Sequence, residues 1–173
     1  MNILKLSYLE TPIGNMVAIA NDDVLYMLEF ADSKRLEQKV NLVRSRISSE
    51  IIVGRTNPIA SIEHELQGYF AGNVQQFTTP LFVWGSHFQQ MVWQELQKIP
   101  YGQTKSYAHV ASSIGRPTAY RAVAQANGAN MFCIAIACHR VINADGGLGG
   151  YAGGVKQKKW LLAHEKNINT YIS

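Results

Sequence analysis

SYAHVASSIGRPTAYRAVAQANG, residues 106–128, predicts two short helices joined by a tight turn. The first helix is expected over residues 106–114 and the second over residues 118–126, where Asn127-Gly128 would end it. The glycine and proline within residues 115–117 supply the turn between them. Two short helices joined by a glycine-containing turn are typical of a helix-turn-helix, which binds DNA in many proteins.

The second of these helices is built from alanines around one basic side chain, Arg121, with Tyr120 and Ala122 beside it. Small side chains let a helix backbone approach DNA closely, and the arginine offers a positive charge to the phosphates. Alanine is also the best helix former, so the same run fits a helix that only packs against a neighbour. The residue pattern by itself leaves both explanations open.

The positive charge of the chain is concentrated in its second half. The formal net charge is +4. Residues 1–86 hold seven Lys and Arg against nine Asp and Glu, whereas residues 87–173 hold nine Lys and Arg against three Asp and Glu. A basic half favours a nucleic-acid partner, although a solvated basic face would give the same count.

Length and composition indicate an ordinary globular protein. The 173 residues, 47% of them hydrophobic, suffice for one domain or two small ones, and they exclude a disordered chain. No apolar run is long enough to cross a bilayer, and the N-terminus lacks the features of a secretory signal. We therefore expect a cytoplasmic protein with no membrane partner. Cys133 and Cys138 are not expected to form a disulfide, and no Cys/His spacing predicts a metal site.

The first half of the chain reads as an α+β domain. Three apolar runs within residues 3–30, separated by turn residues, predict an antiparallel meander. A helix is expected after Ser33 as its N-cap. A second helix is expected to begin with Asn57 as its N-cap and to end at Gly72.

A connector with weak periodicity, VQQFTTPLFVWGS, follows at residues 74–86. It contains a proline and predicts a boundary near residue 84. The chain would then form two domains, residues 1–84 and residues 85–173. The second domain is expected to open with a helix at Ser86.

The run FCIAIA at residues 132–137 predicts a buried strand that ends at Cys138-His139-Arg140. A glycine-rich loop follows, and then a helix over residues 155–165. That helix is expected to carry its basic residues on one side and its apolar residues on another: Lys156, Lys158 and Lys159 against Trp160, Leu161 and Leu162.

Cys138 is a candidate nucleophile, whereas Cys133 lies inside the apolar run and fits a small buried hydrophobe. A thiol needs a base that removes its proton and an acid that orients the base. His139 is adjacent, but neighbours on a strand point to opposite faces, so contact needs an irregular backbone or a bridging water. His164 and Glu165 offer a second imidazole and a carboxylate. These residues allow a Cys–His–Glu relay and do not distinguish it from a thiol hydrolase.

Five segments together resemble one family, the O6-alkylguanine-DNA alkyltransferases, also called methylated-DNA–protein-cysteine methyltransferases. The segments cover nearly all of residues 86–167 and read YGQTKSYAHVASSIGRP, YRAVAQANGAN, IAIACHRVI, GGYAGG and KQKKWLLAHE. The first half resembles the family more loosely, through TPIGN and LQGYFAGN. The resemblance implies an α+β fold with a ribonuclease-H-like N-terminal domain and a winged-helix (helix-turn-helix) C-terminal DNA-binding domain.

The resemblance also implies an activity. The protein would bind double-stranded DNA through the minor groove as a monomer and flip an O6-alkylguanine, with O4-alkylthymine as a further candidate lesion. It would then transfer the alkyl group irreversibly to its own cysteine, in a single turnover. The resemblance implies no cofactor and no metal.

The family's catalytic roles fall on four positions of this sequence. Cys138 would accept the alkyl group, His139 would draw off its proton through a water, Glu165 would hold His139, and Asn130 would order the turn beneath the thiol. Arg121 would fill the gap left by the flipped guanine, and Tyr107 would press on the phosphate and offer its hydroxyl to the base. The remaining substrate or DNA contacts implied are Tyr120, Ala122, Met131, Val141, Tyr151 and Ala152.

The chain departs from the family pattern at several places. Ala137 stands where proline usually precedes the cysteine, Met131 and Phe132 stand where prolines are usual, and Tyr120 and Ala124 replace smaller residues. Three alternative functions remain: a lesion binder without transfer, a thiol hydrolase or acyltransferase, and a transcription regulator. The presence of Cys138 argues against the first, a hydrolase would not need Arg121, and no extra domain supports the third.

Overall fold

A computed structural model describes residues 2–172, with side chains described as far as residue 167. The chain divides into two compact units, Met1–Val83 and Trp84–Ser173. Within residues 2–172 no helix is both long and apolar enough to span a membrane. The described side chains bring together no group of three His, Cys, Asp or Glu residues that could hold a metal ion.

The first unit is built on a four-stranded sheet with the order β3-β2-β1-β4. Its strands are β1 Ile3–Leu9, β2 Met16–Ala20, β3 Leu25–Phe30 and β4 Glu50–Val53. The first three strands pair antiparallel, so the predicted meander is confirmed. The short strand β4 was not predicted, and it lies parallel to β1 at the sheet edge.

Two helices belong to the first unit, α1 Leu36–Ile47 and α2 Asn57–Phe70. Both predicted N-caps are wrong. The Ser33 hydroxyl accepts a hydrogen bond from Arg35 N in a turn before α1, and Asn57 is already the first helical residue of α2. Gly72 ends α2 as expected, with a φ of 85° that favours glycine.

Residues after α2 are held to the first unit by one carboxylate. Glu65 accepts hydrogen bonds from Thr78 N at 2.6 Å and from Thr79 N at 2.8 Å, and the two threonine hydroxyls also contact it. Further along, Leu81 forms a bridge with Leu25 of β3. The first part of the expected connector therefore packs as part of this unit.

The second unit, as far as residue 172, contains four α-helices and a two-stranded parallel sheet. Its elements are α3 His87–Leu96, β5 Lys105–Ser106, α4 Tyr107–Ser113, α5 Tyr120–Gly128, β6 Val141–Ile142 and α6 Val155–Ile172. Ser86 starts α3 with a capping box, and the Ser106 hydroxyl caps α4 by accepting from His109 N. The helix-turn-helix of α4 and α5 is confirmed, although α5 begins and ends two residues later than predicted.

The predicted strand at residues 132–137 is wrong, because residues 133–136 form turns and a bend, and Phe132 contributes a single bridge. The Asn130 amide donates to Phe132 O at 3.2 Å and to Ile136 O at 2.9 Å, and its oxygen accepts from Phe132 N at 3.0 Å. One side chain thus supplies the partners that a neighbouring strand would have supplied. The backbone also turns through Ile134, whose φ is 72°. Burial alone does not distinguish such a segment from a core strand.

Candidate active site

Cys138 begins a short 3₁₀-helix, Cys138–Arg140, directly after the turns. Its side chain is buried, its N–H donates to Ile136 O at 2.7 Å, and its carbonyl accepts from Asn127 Nδ2 at 3.1 Å. Asn127 belongs to α5, so the second helix of the helix-turn-helix is bonded directly to the backbone of the candidate nucleophile. The irregular backbone that Cys138 and His139 required is therefore present.

His139 is fully buried and lies against Glu165 of α6, with 2.8 Å between His139 Nε2 and Glu165 Oε1. An ionised carboxylate only accepts hydrogen bonds, so this contact assigns the proton to Nε2. Burial lowers the pKa of His139, the charges of Arg140 and Lys158 lower it further, and Glu165 opposes them. The imidazole is therefore neutral near pH 7, and its Nδ1 is a bare acceptor able to take a proton.

Glu165 also binds Arg140, through contacts of 3.0 Å to Nε and 2.8 Å to Nη2. Burial by itself would raise the pKa of Glu165, but the hydrogen bonds and charges of His139 and Arg140 outweigh it and lower the pKa to about 2. The same carboxylate accepts from Gly102 N at 3.3 Å. Glu165 is thus permanently ionised at physiological pH and joins α6 to the 3₁₀-helix.

Lys158 does not share one side of α6 with Lys156 and Lys159 as predicted, because it is completely buried whereas they are exposed. Its ammonium donates to Val141 O at 2.6 Å and to Gly150 O at 3.2 Å, and it lies 5.8 Å from the centre of the Tyr107 ring. Burial lowers the pKa of Lys158 to about 8, and a negative charge on Cys138 acts in the opposite direction. The amine therefore carries most of its positive charge near pH 7, close to the candidate nucleophile.

Tyr107 is the first residue of α4, and it faces the glycine-rich loop. A Cβ placed on Gly149 would lie 2.9 Å from the Tyr107 hydroxyl oxygen, and the φ of Gly149 is 70°. Burial, followed by the charge of Cys138, raises the pKa of Tyr107, so the hydroxyl keeps its proton. Only glycine at position 149 leaves this hydroxyl in place.

The outer face of α5 carries Tyr120, Arg121 and Ala122, all exposed. The Arg121 guanidinium lies 5.8 Å from the Tyr120 ring centre. Val123 and Ala126 form the buried face of the same helix. Packing against a neighbouring element therefore explains why position 126 is an alanine. It does not explain Ala122, whose small side chain is exposed and leaves the helix surface beside Arg121 uncovered.

The remaining predicted positions surround the segment that carries Cys138. Met131 is buried in the turns after Asn130, and Val141 is the buried first residue of β6. Tyr151 and Ala152 are half-buried and directly follow Gly150, which Lys158 holds. Their contacts with a base remain predictions. The second imidazole, His164, stacks on Trp160 with 4.8 Å between ring centres.

Lys158 and Arg140 are among the polar residues of this site that were given no role in it from the sequence. Lys158, Leu161 and Glu165 are all fully buried at the spacing i, i+3 and i+7. That spacing marks one face of a helix and could have predicted an inward-facing lysine. Arg140 donates to Ile99 O at 2.8 Å as well as to Glu165. The residues around Arg140 show no comparable spacing that could have predicted its inward position.

Comparison with known proteins connects both units to one family. A family model described as the 6-O-methylguanine DNA methyltransferase DNA binding domain matches residues 87–167, and one described as its ribonuclease-like domain matches residues 4–83. The chain belongs to the 6-O-methylguanine DNA methyltransferase family. The resemblance and the α+β fold class predicted from the sequence are confirmed.

Individual members of the 6-O-methylguanine DNA methyltransferase family resemble the chain over almost its whole length. A methylated-DNA–protein-cysteine methyltransferase of Salmonella typhimurium is 42% identical, over 90% of this chain and 91% of that protein. One from Methanosarcina barkeri is 39% identical, over 92% and 95%. The structure of Mycobacterium tuberculosis OGT in complex with DNA matches with a TM-score of 0.80 at 36% identity, over 96% of this chain and 94% of that chain.

Proposed function

We propose that this protein repairs DNA by direct reversal, transferring the alkyl group of O6-alkylguanine in duplex DNA to Cys138. The observation that carries the assignment is the arrangement around the buried thiol. Cys138 begins a 3₁₀-helix and is followed by a neutral His139 whose Nε2 is held by an ionised Glu165. An activated thiol with an oriented base is what nucleophilic displacement requires.

The first step removes the proton of Cys138. The thiol gives its proton to a water, and the water gives a proton to His139 Nδ1, which is the bare acceptor. The imidazolium that forms lies between the carboxylate of Glu165 on one side and the thiolate on the other. The positive charge of Lys158 also favours the thiolate, because the two charges are close.

The second step is a direct displacement at the alkyl carbon. A C–S bond forms as the C–O6 bond breaks, and the electron pair of that bond goes to the guanine. The Tyr107 hydroxyl gives the departing base a proton and regains one from solvent, which makes the base a better leaving group. The thioether on Cys138 is stable, so each protein molecule reacts once, and the chemistry uses no cofactor.

DNA binding is assigned to the second domain, taken as residues 85–173, with residues 1–84 as the ribonuclease-like domain. The exposed face of α5 would enter the minor groove, and Arg121 would occupy the space of the flipped nucleotide. Tyr120 and Ala122 would lie against the DNA backbone, and Met131, Val141, Tyr151 and Ala152 would line the base pocket. Asn130 supports the turns beneath the thiol through its hydrogen bonds.

We further propose that the protein is a cytoplasmic monomer. Its proposed substrate is DNA, and its acceptor must remain a thiol, which a reducing compartment favours. Size-exclusion chromatography with light scattering, with and without duplex DNA, tests the oligomeric state. A stable dimer in the absence of DNA would contradict it.

The decisive experiment is an intact-protein mass spectrum after incubation with duplex DNA that carries O6-methylguanine, followed by peptide mapping. We expect a gain of one methyl group per chain, located on Cys138, and no gain for Cys138→Ala, which should still bind DNA. Unchanged mass with the DNA bound would indicate a lesion binder instead. Methylation at another residue would refute the assignment of Cys138, and turnover of small esters would indicate a hydrolase.

A further inference from the structure

Asn127 lies at the end of α5 and is buried, with only 4% of its surface exposed. Its Nδ2 donates to Cys138 O, as described above. Its Oδ1 is also buried and has no hydrogen-bond partner among the described protein atoms. An amide oxygen in this position needs a donor, because burying an unpaired acceptor costs about 1–3 kcal/mol.

Among the described side chains, His139 Nδ1 is another buried acceptor without a protein partner. Both acceptors adjoin the same peptide unit, since Asn127 binds the Cys138 carbonyl and His139 is the next residue. A water molecule has two hydrogens, so one molecule placed between the two acceptors would donate one hydrogen to each of them. Buried waters in proteins typically make about three hydrogen bonds to otherwise unsatisfied polar groups.

We propose that Asn127 is a positioning residue for the proton transfer, and that its Oδ1 orients the water between Cys138 and His139. This inference rests on the proposed function. Before transfer the water accepts a hydrogen bond from the thiol and donates to His139 Nδ1 and Asn127 Oδ1. After transfer the imidazolium donates to the water, which then donates to the thiolate and, still, to Asn127 Oδ1. Because one hydrogen of the water stays on Asn127 throughout, the other is aimed along the transfer path.

Through a hydrogen bond from its Nδ2, the same side chain keeps the amide oriented for this task. That hydrogen bond fixes the Cys138 carbonyl to the last turn of α5, the helix that carries Arg121. The amide is suited to both tasks because it has a donor and an acceptor in one plane. A leucine of similar size would provide neither.

The test compares single-turnover methyl transfer, with saturating O6-methylguanine duplex, at about pH 7.5 and at about pH 9.5, where the ordinary thiol pKa of about 8.5 has been passed. We expect Asn127→Leu to be at least roughly tenfold slower at the lower pH, because proton transfer steps contribute about 10²–10⁴-fold. At the higher pH its rate should return to within about threefold of wild type, since hydroxide then removes the proton without the relay. Its DNA affinity should not change.

Asn167→Leu, the same replacement at an exposed position of α6, is the matched control and should behave as wild type at both pH values. Asn127→Ser, which keeps a small hydrogen-bonding group, should lie between wild type and the leucine variant and should also recover at high pH. If circular dichroism shows that Asn127→Leu is unfolded, Asn127→Ser takes its place in the comparison.

A variant that is equally slow at both pH values would overturn the inference, because altered packing is not relieved by base. A leucine variant with the wild-type rate at the lower pH would overturn it as well. The wild-type arm separates these outcomes from failure of the proposed function itself. If wild type gains no methyl group on Cys138, the function is wrong, whatever the variants do.

Discussion

At the scale of single residues, this site contains an ammonium group with no exposure to solvent. Lys158 loses its hydration and regains two carbonyl oxygens, those of Val141 and Gly150. Two neutral acceptors replace water poorly, which agrees with the lowered pKa of about 8. A negative charge on Cys138 is the group nearby that would favour the charged amine, so lysine and thiolate stabilise each other.

Replacing Lys158 with methionine should therefore slow alkyl transfer roughly 10- to 100-fold, because a fixed charge beside the reacting atom is lost. The reaction is best followed with free O6-alkylguanine base, which removes the contribution of DNA binding. Lys159→Met, at an exposed position of the same helix, should react at the wild-type rate. A Lys158→Met protein that stays folded and reacts as fast as wild type would contradict this role.

At the scale of elements, the second helix of the helix-turn-helix, α5, has one buried side and one exposed side, and the two sides have different roles. Val123, Ala126 and Asn127 face inward, and Asn127 reaches the backbone of Cys138. Tyr120, Arg121 and Ala122 face outward. In the proposed function α5 contacts DNA and also holds the backbone of Cys138, so one helix would align a flipped base with the thiol.

Arg121→Ala should reduce transfer from duplex DNA much more than transfer from free alkylguanine base. The reason is that a wedge stabilises the flipped state, which the free base does not need. Arg116→Ala is the control, since Arg116 is exposed in the preceding turn and should affect only affinity. At saturating duplex the Arg116 variant should recover its full rate while the Arg121 variant remains slow. Equal losses with duplex and free base would mean that Arg121 is not the wedge.

The elements also explain which parts of this fold can be predicted from sequence. The meander, the helix-turn-helix and the helix that opens at Ser86 follow from local turn and cap residues, and they were predicted. The turns at residues 132–137 depend on the side chain of Asn130 and on a positive φ at Ile134, neither of which alters the apolar pattern. The pairing of β4 with β1 is a contact between distant residues, which local signals do not encode.

The same distinction applies to the site. Cys138, His139 and Glu165 could be named from motifs, and the structure brings His139 and Glu165 together. Asn127 looked like an ordinary helix-ending residue, because its value lies in a hydrogen bond to a residue eleven positions away. Lys158 looked solvated because lysine usually is.

At the scale of the whole molecule, the stability of the second unit depends on pH through one buried cluster, which is formed by Glu165, His139 and Arg140. Glu165 has a folded pKa of about 2 against an ordinary value of 4.5. Its stabilising contribution, about 3 kcal/mol, is therefore complete above pH 4.5 and is lost as the pH falls toward 2. His139, whose pKa is lowered by burial, adds a loss that begins below its ordinary value of 6.5.

We expect Glu165→Gln to be less stable than wild type by about 3 kcal/mol near pH 7, with the difference shrinking as the pH falls below 4.5. All three tryptophans, Trp84, Trp93 and Trp160, lie in the second unit, so urea unfolding followed by tryptophan fluorescence reports on it alone. Glu95→Gln, which breaks an exposed pair with Lys98, should change stability by less than about 1 kcal/mol. A difference between Glu165→Gln and wild type that stays constant with pH would refute the ionised cluster.

The codon for Gly149 can itself carry the lesion that this protein is proposed to repair. Every glycine codon begins with two guanines, and an O6-methylguanine left in either position pairs with thymine during replication. The resulting transition replaces glycine by serine, arginine, aspartate or glutamate. At position 149 each of these places a Cβ 2.9 Å from the Tyr107 hydroxyl oxygen, on a backbone with a φ of 70°. A single unrepaired lesion in this codon would thus produce a heritable substitution, and the altered protein would no longer remove later lesions.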